Sequence, residues 1–160
     1  AAAEGLEVIV ARPFNHIGPR QTAGFAIASF ARQVARIEAG LDAPVIHVGN
    51  LEPRRDLSDV RDVADAYVRL MASGVSGRAY NVCGGTAHRI GDVLDALLRM
   101  ATVSVTKETD ATRLRPNDVP EIVGDATRLR SEIGWSPRIP LETTLRDTLD
   151  WWRAEVRAGR

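Results

Sequence analysis

Glu7-Val8-Ile9-Val10-Ala11 is the segment that most constrains what this chain can fold into. It is a short apolar run rich in β-branched residues, the pattern of a parallel strand buried in a sheet. Such a strand needs neighbours on both sides. Upstream stands only Ala1-Ala2-Ala3-Glu4-Gly5-Leu6, which reads as the last turn of a helix stopped by a left-handed glycine at Gly5. The expectation is a domain entered in its middle, with the strands that flank residues 7–11 supplied by sequence before Ala1 or by another chain.

Downstream, strand-like runs alternate with amphipathic stretches, which predicts an α/β fold. A turn-rich loop, Arg12–Pro19, follows the first strand. Phe25, Ile27, Phe30, Val34 and Ile37 recur at helical spacing over 25–39, with Gly40 closing the helix. Val45–Val48 predicts a strand and Arg54–Asp59 an extended segment. Val60, Val63, Ala64, Tyr67, Val68 and Met71 predict one apolar face on a helix over 60–72. Further strands are expected at Ala79–Cys83 and Val103–Val105, and further helices at 90–101, 126–133 and 141–156. Thr109–Val123 is expected to be a long loop, and loops of that length in compact domains are often binding segments. Leu141, Leu145, Leu149 and Trp152 keep helical spacing and predict a core seam. The chain divides into residues 1–24, the last strands and loop of a dinucleotide-fold unit, and residues 25–160, a smaller mixed α/β subdomain with elements of that unit interleaved.

Composition removes several functions. Twenty-one Lys and Arg balance twenty-one Asp and Glu, so the chain lacks the cationic surplus that a nucleic-acid partner requires. Cys83 is the one cysteine, which excludes an intrachain disulfide and a multi-thiolate metal site and suits a reducing compartment. His16, His47 and His88 stand far apart without ligand spacing, and no metal is expected. Neither a signal peptide nor an apolar run of about 18 residues is present, so no membrane partner is expected and the chain reads as cytoplasmic.

No glycine-rich dinucleotide turn and no Walker A motif occurs. Arginines gather instead near extended segments: Arg54-Arg55-Asp56 before a helix start, Arg113 and Arg115 with Asn117 in the long loop, and Arg20 after Gly18-Pro19. A guanidinium presents a planar fork of donors suited to phosphate oxygens. The competing reading makes Arg55-Asp56 and Arg61-Asp62 surface ion pairs of little consequence. Asn15-His16 follows the first strand, where open α/β sheets bind ligands. Asn15 is suited there to a phosphate or sugar hydroxyl, or else to tying its own turn.

Four segments carry a resemblance: Arg12-Pro13-Phe14-Asn15-His16-Ile17-Gly18-Pro19, Val48-Gly49-Asn50-Leu51-Glu52-Pro53-Arg54-Arg55-Asp56, Asp59-Val60-Arg61-Asp62-Val63-Ala64-Asp65-Ala66-Tyr67, and Arg115-Pro116-Asn117-Asp118-Val119-Pro120. In this order they resemble the C-terminal half of the extended short-chain dehydrogenase/reductases of the NAD-dependent epimerase/dehydratase family. Within that family they are most similar to the GDP-mannose 4,6-dehydratase group and its GDP-6-deoxy-4-keto-hexose reductase branch. Gly124–Arg130 and Ile133–Pro137 resemble the family's tail.

The resemblance implies a Rossmann-type fold whose N-terminal half is absent here, NAD(P) as cofactor of the intact enzyme, and a GDP-linked hexose as substrate. It implies that Asn15 contacts the substrate near its diphosphate and that Arg55 reaches the nucleotide's phosphates or ribose. Arg115, Asn117 and Asp118 would line the nucleoside pocket, with Asp118 or Glu121 accepting from a guanine edge. His16 would sit near the nicotinamide end of the cofactor. The family's glycine-rich turn, its Ser/Thr and its Tyr-x-x-x-Lys pair would precede Ala1. No catalytic residue is therefore assigned here, and the chain alone is expected to bind without catalysing and without holding NAD(P) tightly. Phe25-Ala26-Ile27-Ala28-Ser29 stands where the dehydratases carry an arginine, which favours a reductase of the 4-keto group over a 4,6-dehydratase or 4-epimerase. A stand-alone binding module paired with a partner chain, or a homo-oligomer, is the remaining expectation.

Overall fold

A computed structural model describes residues 5–114 and 118–159. The elements run β1 (Val10–Pro13), β2 (Asn15–Ile17), α1 (Ala26–Glu38), β3 (Val45–Val48), β4 (Arg54–Asp59), α2 (Val60–Ser73), β5 (Ala79–Val82), β6 (Ala87–Arg89), α3 (Ile90–Leu98), β7 (Thr106–Thr109), a 3-10 turn (Ala111–Arg113), β8 (Glu121–Ile122), α4 (Thr127–Ile133) and α5 (Leu141–Arg157). The fold is mixed α/β with mostly parallel pairing: β1 with β5, β2 and β8 with β4, and β3 with β7, while β6 is antiparallel to β4.

Two apolar cores form. One packs α1, α3 and α5 with β3 around Phe30, Val34, Ile46, Leu94, Leu145 and Leu149. The expected seam on the last helix lies there, with Leu145, Leu149 and Trp152 buried. The other joins α2, β5 and α4 around Val63, Leu70, Tyr80, Leu129 and Trp135. The Trp135 indole N–H donates to the Asp62 carbonyl at 3.1 Å, so the ring is buried without an orphaned donor. Gly40 and Gly134, expected to end helices, take φ of 69° and 67°, the left-handed turn that favours glycine.

Several expectations are corrected. The Arg12–Pro19 segment is not simply a loop. β1 ends at Pro13, and Asn15–Ile17 pair in parallel with Leu57–Asp59, so a non-local partner overrides local turn residues. The first strand occupies residues 10–13 and is flanked among the described residues by β5 alone, which leaves Val8 and Val10 exposed. On α2 the buried residues are Asp62, Val63, Ala66 and Leu70, whereas Val68 is 69% and Met71 84% exposed. The apolar stripe expected there is thus split, with Val63 inward and Ala64, Tyr67, Val68 and Met71 outward. The strand expected at 103–105 forms at 106–109 on exposed residues, where pairing with β3 and not burial sets its position. The 109–123 stretch contains the 3-10 turn and β8, and β6 was not anticipated. The helix tail expected at Ala1–Glu4 lies outside the described residues.

Candidate functional site

β4 organises the site. Its first half lies between β6 and β8 and its second half beside β2, so Asn15, His16 and Arg55 are brought near Asp118, which precedes β8. Asp56 fixes this arrangement. Its carboxylate is fully buried and accepts from the backbone N–H of Gly84 and of Gly85, each at 2.8 Å, and of Gly124 at 3.1 Å. Three N–H donors stand in for a counter-cation. The neighbour pairs read as surface ion pairs do not form: Arg55 bonds Asp118, Arg61 bonds Asp59 and Asp147, and Asp62 accepts from the amides of Arg138 and Ile139.

A cavity of about 480 Å³ opens over this strand, lined by Asn15, His16, Gln21, Phe25, Ser29, Asn50, Arg55, Arg113 and Asp118 among others. Its walls come from β2, the start of α1, the turn after β3, β4 and the 3-10 turn. Asn15 is exposed and its side chain makes no hydrogen bond to the described residues. His16 is half-buried, with Nδ1 3.1 Å from the Phe14 carbonyl. A carbonyl only accepts, so Nδ1 carries a proton. The Gln21 amide donates to the His16 carbonyl at 2.9 Å and clamps the end of β2.

Arg55 is 13% exposed and heavily engaged. One terminal nitrogen donates to the carbonyls of Arg54 (2.9 Å) and Val119 (2.8 Å), and the other to Asp118 Oδ1 at 2.5 Å. Arg113, across the cavity, donates through Nε to Asp110 at 3.0 Å. The Thr112 hydroxyl and amide, followed by the Arg113 guanidinium, hold the Asp110 carboxyl below its ordinary range. Gly49 lies against this turn: a Cβ there would sit 2.6 Å from the Arg113 carbonyl oxygen. Cys83 is buried, and burial followed by the Asp56 charge pushes its thiol up to about 11, so it is no nucleophile at neutral pH.

Of the residues expected at the site, Asn15, His16, Arg55 and Asp118 line one cavity. Arg115 and Asn117 lie outside the described residues. Glu121 is on β8 and bonds Arg54. Sequence reasoning did not assign Gln21, Ser29, Asn50 or Arg113 to the site, although Arg113 stood in the arginine cluster of the long loop, Asn50 in a motif segment and Ser29 in the stretch that favours a reductase.

Comparisons with known proteins identify the family and the fold. The family model for GDP-mannose 4,6 dehydratase matches residues 1–148. The GDP-6-deoxy-D-mannose reductase of Pseudomonas aeruginosa is 42% identical over 154 residues, spanning 96% of this chain and 51% of the relative. The solved structure of RMD from Pseudomonas aeruginosa complexed with NADPH superposes with a TM-score of 0.90 at 40% identity, over 96% of this chain and 51% of that one. A putative epimerase from Burkholderia cenocepacia superposes with a TM-score of 0.84 at 36% identity, over 95% and 48%. The chain spans about half the length of the curated relatives it matches.

Proposed function

The chain belongs to the GDP-mannose 4,6-dehydratase family of extended short-chain dehydrogenase/reductases, and from that premise we propose that its cavity receives the nucleotide part of a GDP-linked 4-keto-6-deoxyhexose. The observation that carries this reading is the convergence of Asn15, Arg55 and Asp118, from three separate parts of the chain, on one cavity of about 480 Å³. That size lies within the usual range of small-ligand sites, roughly 300–1,000 Å³. In this reading Asn15 meets the diphosphate or a sugar hydroxyl, and Asp118 accepts hydrogen bonds from the nucleoside. Arg55 holds Asp118 in place and offers its Nε to the ligand.

For the whole protein we propose reduction of the 4-keto group with NAD(P)H. Reductase is favoured over dehydratase by the Phe25–Ser29 stretch and by the 42% identical reductase. NAD(P)H would supply hydride to the carbonyl carbon. The described residues fit that cofactor only at one edge. His16 lines the cavity with its Nδ1 proton committed to Phe14, which leaves Nε2 to face a ligand. In this reading the described residues bind and orient the substrate. Residues 1–24 then complete the cofactor unit and residues 25–160 the sugar-nucleotide unit, in a cytoplasmic enzyme.

Titrating the chain with GDP, UDP and dTDP by calorimetry tests the pocket. GDP is expected to bind most tightly, and Asp118→Asn to weaken GDP about tenfold, as loss of one charge-assisted hydrogen bond implies. Equal affinity for the three nucleotides, or no binding of any, sinks the assignment.

A further inference from the structure

We propose that Arg113 is a diphosphate-binding residue of this cavity and carries more of the phosphate grip than Arg55; this rests on the reading of the cavity as a nucleoside-diphosphate site. The two arginines face the same space but differ in how many donors they have to give. Arg55 spends one terminal nitrogen on two carbonyls and the other on Asp118, and it is 13% exposed. An anion seated on its terminal nitrogens must displace the Asp118 carboxylate, which leaves only Nε to give. Arg55 is therefore first a brace that ties β4 to the segment before β8.

Arg113 is held differently. It is 43% exposed, and Asp110 engages only its Nε. One terminal nitrogen reaches Ser29 Oγ at 3.4 Å, the outer limit of a hydrogen bond, and the other has no partner among the described residues. Its turn is rigid, because the Asp110 carboxylate also accepts from the Thr112 amide and hydroxyl at 2.9 and 2.6 Å. The guanidinium is thus aimed before any ligand arrives, which lowers the ordering cost of binding.

Charge around Arg113 points the same way. Ser29 lies in the first turn of α1, whose N-cap Phe25 gives no side-chain cap and whose first turn holds no acidic residue. The positive end of that helix and the Arg113 fork meet at the cavity wall, with the Asp110 carboxylate on the Nε side and Asp118 held by Arg55. An anion seated there meets the guanidinium fork and the helix end together. A phosphate oxygen replacing Ser29 breaks only a marginal contact and gains a fork of two donors. Gly49 permits this approach, since a Cβ at that position would strike the Arg113 carbonyl at 2.6 Å and push the turn away.

The test is calorimetric titration of the full chain with GDP, with inorganic pyrophosphate and with guanosine, for wild type, Arg113→Gln, Arg113→Lys and Ser29→Ala. Arg113→Gln is expected to weaken GDP and pyrophosphate about ten- to thirtyfold while guanosine stays within about twofold. Lysine restores part of the loss as a point charge without the fork, and Ser29→Ala leaves GDP affinity within about threefold. A loss for GDP under about threefold in Arg113→Gln overturns the proposal, as does an equal loss for guanosine, which would mark general damage to the pocket. Wild type that binds neither GDP nor pyrophosphate overturns the reading of the cavity itself, and the role of Arg113 with it.

Discussion

Replacing Asp56 by asparagine exchanges one acceptor for a donor at a fully buried carboxylate. The wild-type carboxylate accepts from Gly84 N–H at one oxygen and from Gly85 and Gly124 N–H at the other, at 2.8, 2.8 and 3.1 Å. An amide presents one oxygen and one NH2 group. If its oxygen stays on the Gly85 and Gly124 side, the NH2 faces the Gly84 donor; in the other flip it faces two donors. At least one backbone N–H is then unpaired and the remaining bonds lose their charge. An unpaired buried donor costs about 1–3 kcal/mol, and each weakened charge-assisted bond roughly a further 1 kcal/mol. Gly85 is exposed, so water recovers part of its loss and the lower end applies to it. The expected total is about 2–4 kcal/mol, or a Tm fall of roughly 5–15 °C for a domain of this size. Equilibrium urea unfolding followed by tryptophan fluorescence measures it, since Trp135 is buried and reports the second core. A variant within about 0.5 kcal/mol of wild type would refute the assignment of Asp56 as the staple between β4 and the loops it holds.

Three further outcomes are expected. Gly49→Ala places a Cβ against the Arg113 carbonyl; it should destabilise by about 1–3 kcal/mol and weaken GDP binding, and unchanged affinity by calorimetry would show that the turn does not shape the cavity. At Asp59, burial pushes the carboxyl up, but hydrogen bonds from the Arg61 side chain and amide and from Thr144 outweigh it, so the folded carboxyl titrates below its ordinary range. The stability it contributes is present above the unfolded value of about 4 and is lost as pH falls through the lower folded value. Thermal melts across that window should show Asp59→Asn less stable at pH 7 and flatter in acid than wild type, and parallel curves would exclude the contribution. On the outer face of α2, Val68→Glu with Met71→Lys should leave Tm nearly unchanged while raising the monodisperse fraction in light scattering; a large drop in Tm would mean that face is packed in solution.

Segments with a period and a clear stop were legible from sequence. α1, β3 and α5 lie where apolar spacing and flanking turns put them, because their positions are set by what they bury locally, and β4 forms on the segment expected to be extended. β2, β6 and β8 are short and largely polar, and each exists because β4 pairs with it from a distance in sequence. β7 likewise has four exposed residues and follows β3. On α2 the apolar residues outnumber what the core takes up, so periodicity alone did not tell the inward face from the outward one. At the site, Asn15, Arg55 and Asp118 were recognisable by motif. The partnership of Arg55 with Asp118 spans 63 residues, and Asp56 looked like its neighbour's counter-ion when its real partners are backbone groups. Gln21 carries no signal of its own; only the fold brings it to the cavity.

The central question is where a GDP-sugar sits. Its most direct test is a crystal structure of the protein with GDP-mannose. It should show the diphosphate between Arg113 and the start of α1, with the nucleoside toward Asp118 and the hexose toward Asn15 and His16. Nucleotide density outside the cavity over β4, for instance in the groove between α3 and α5, would contradict it.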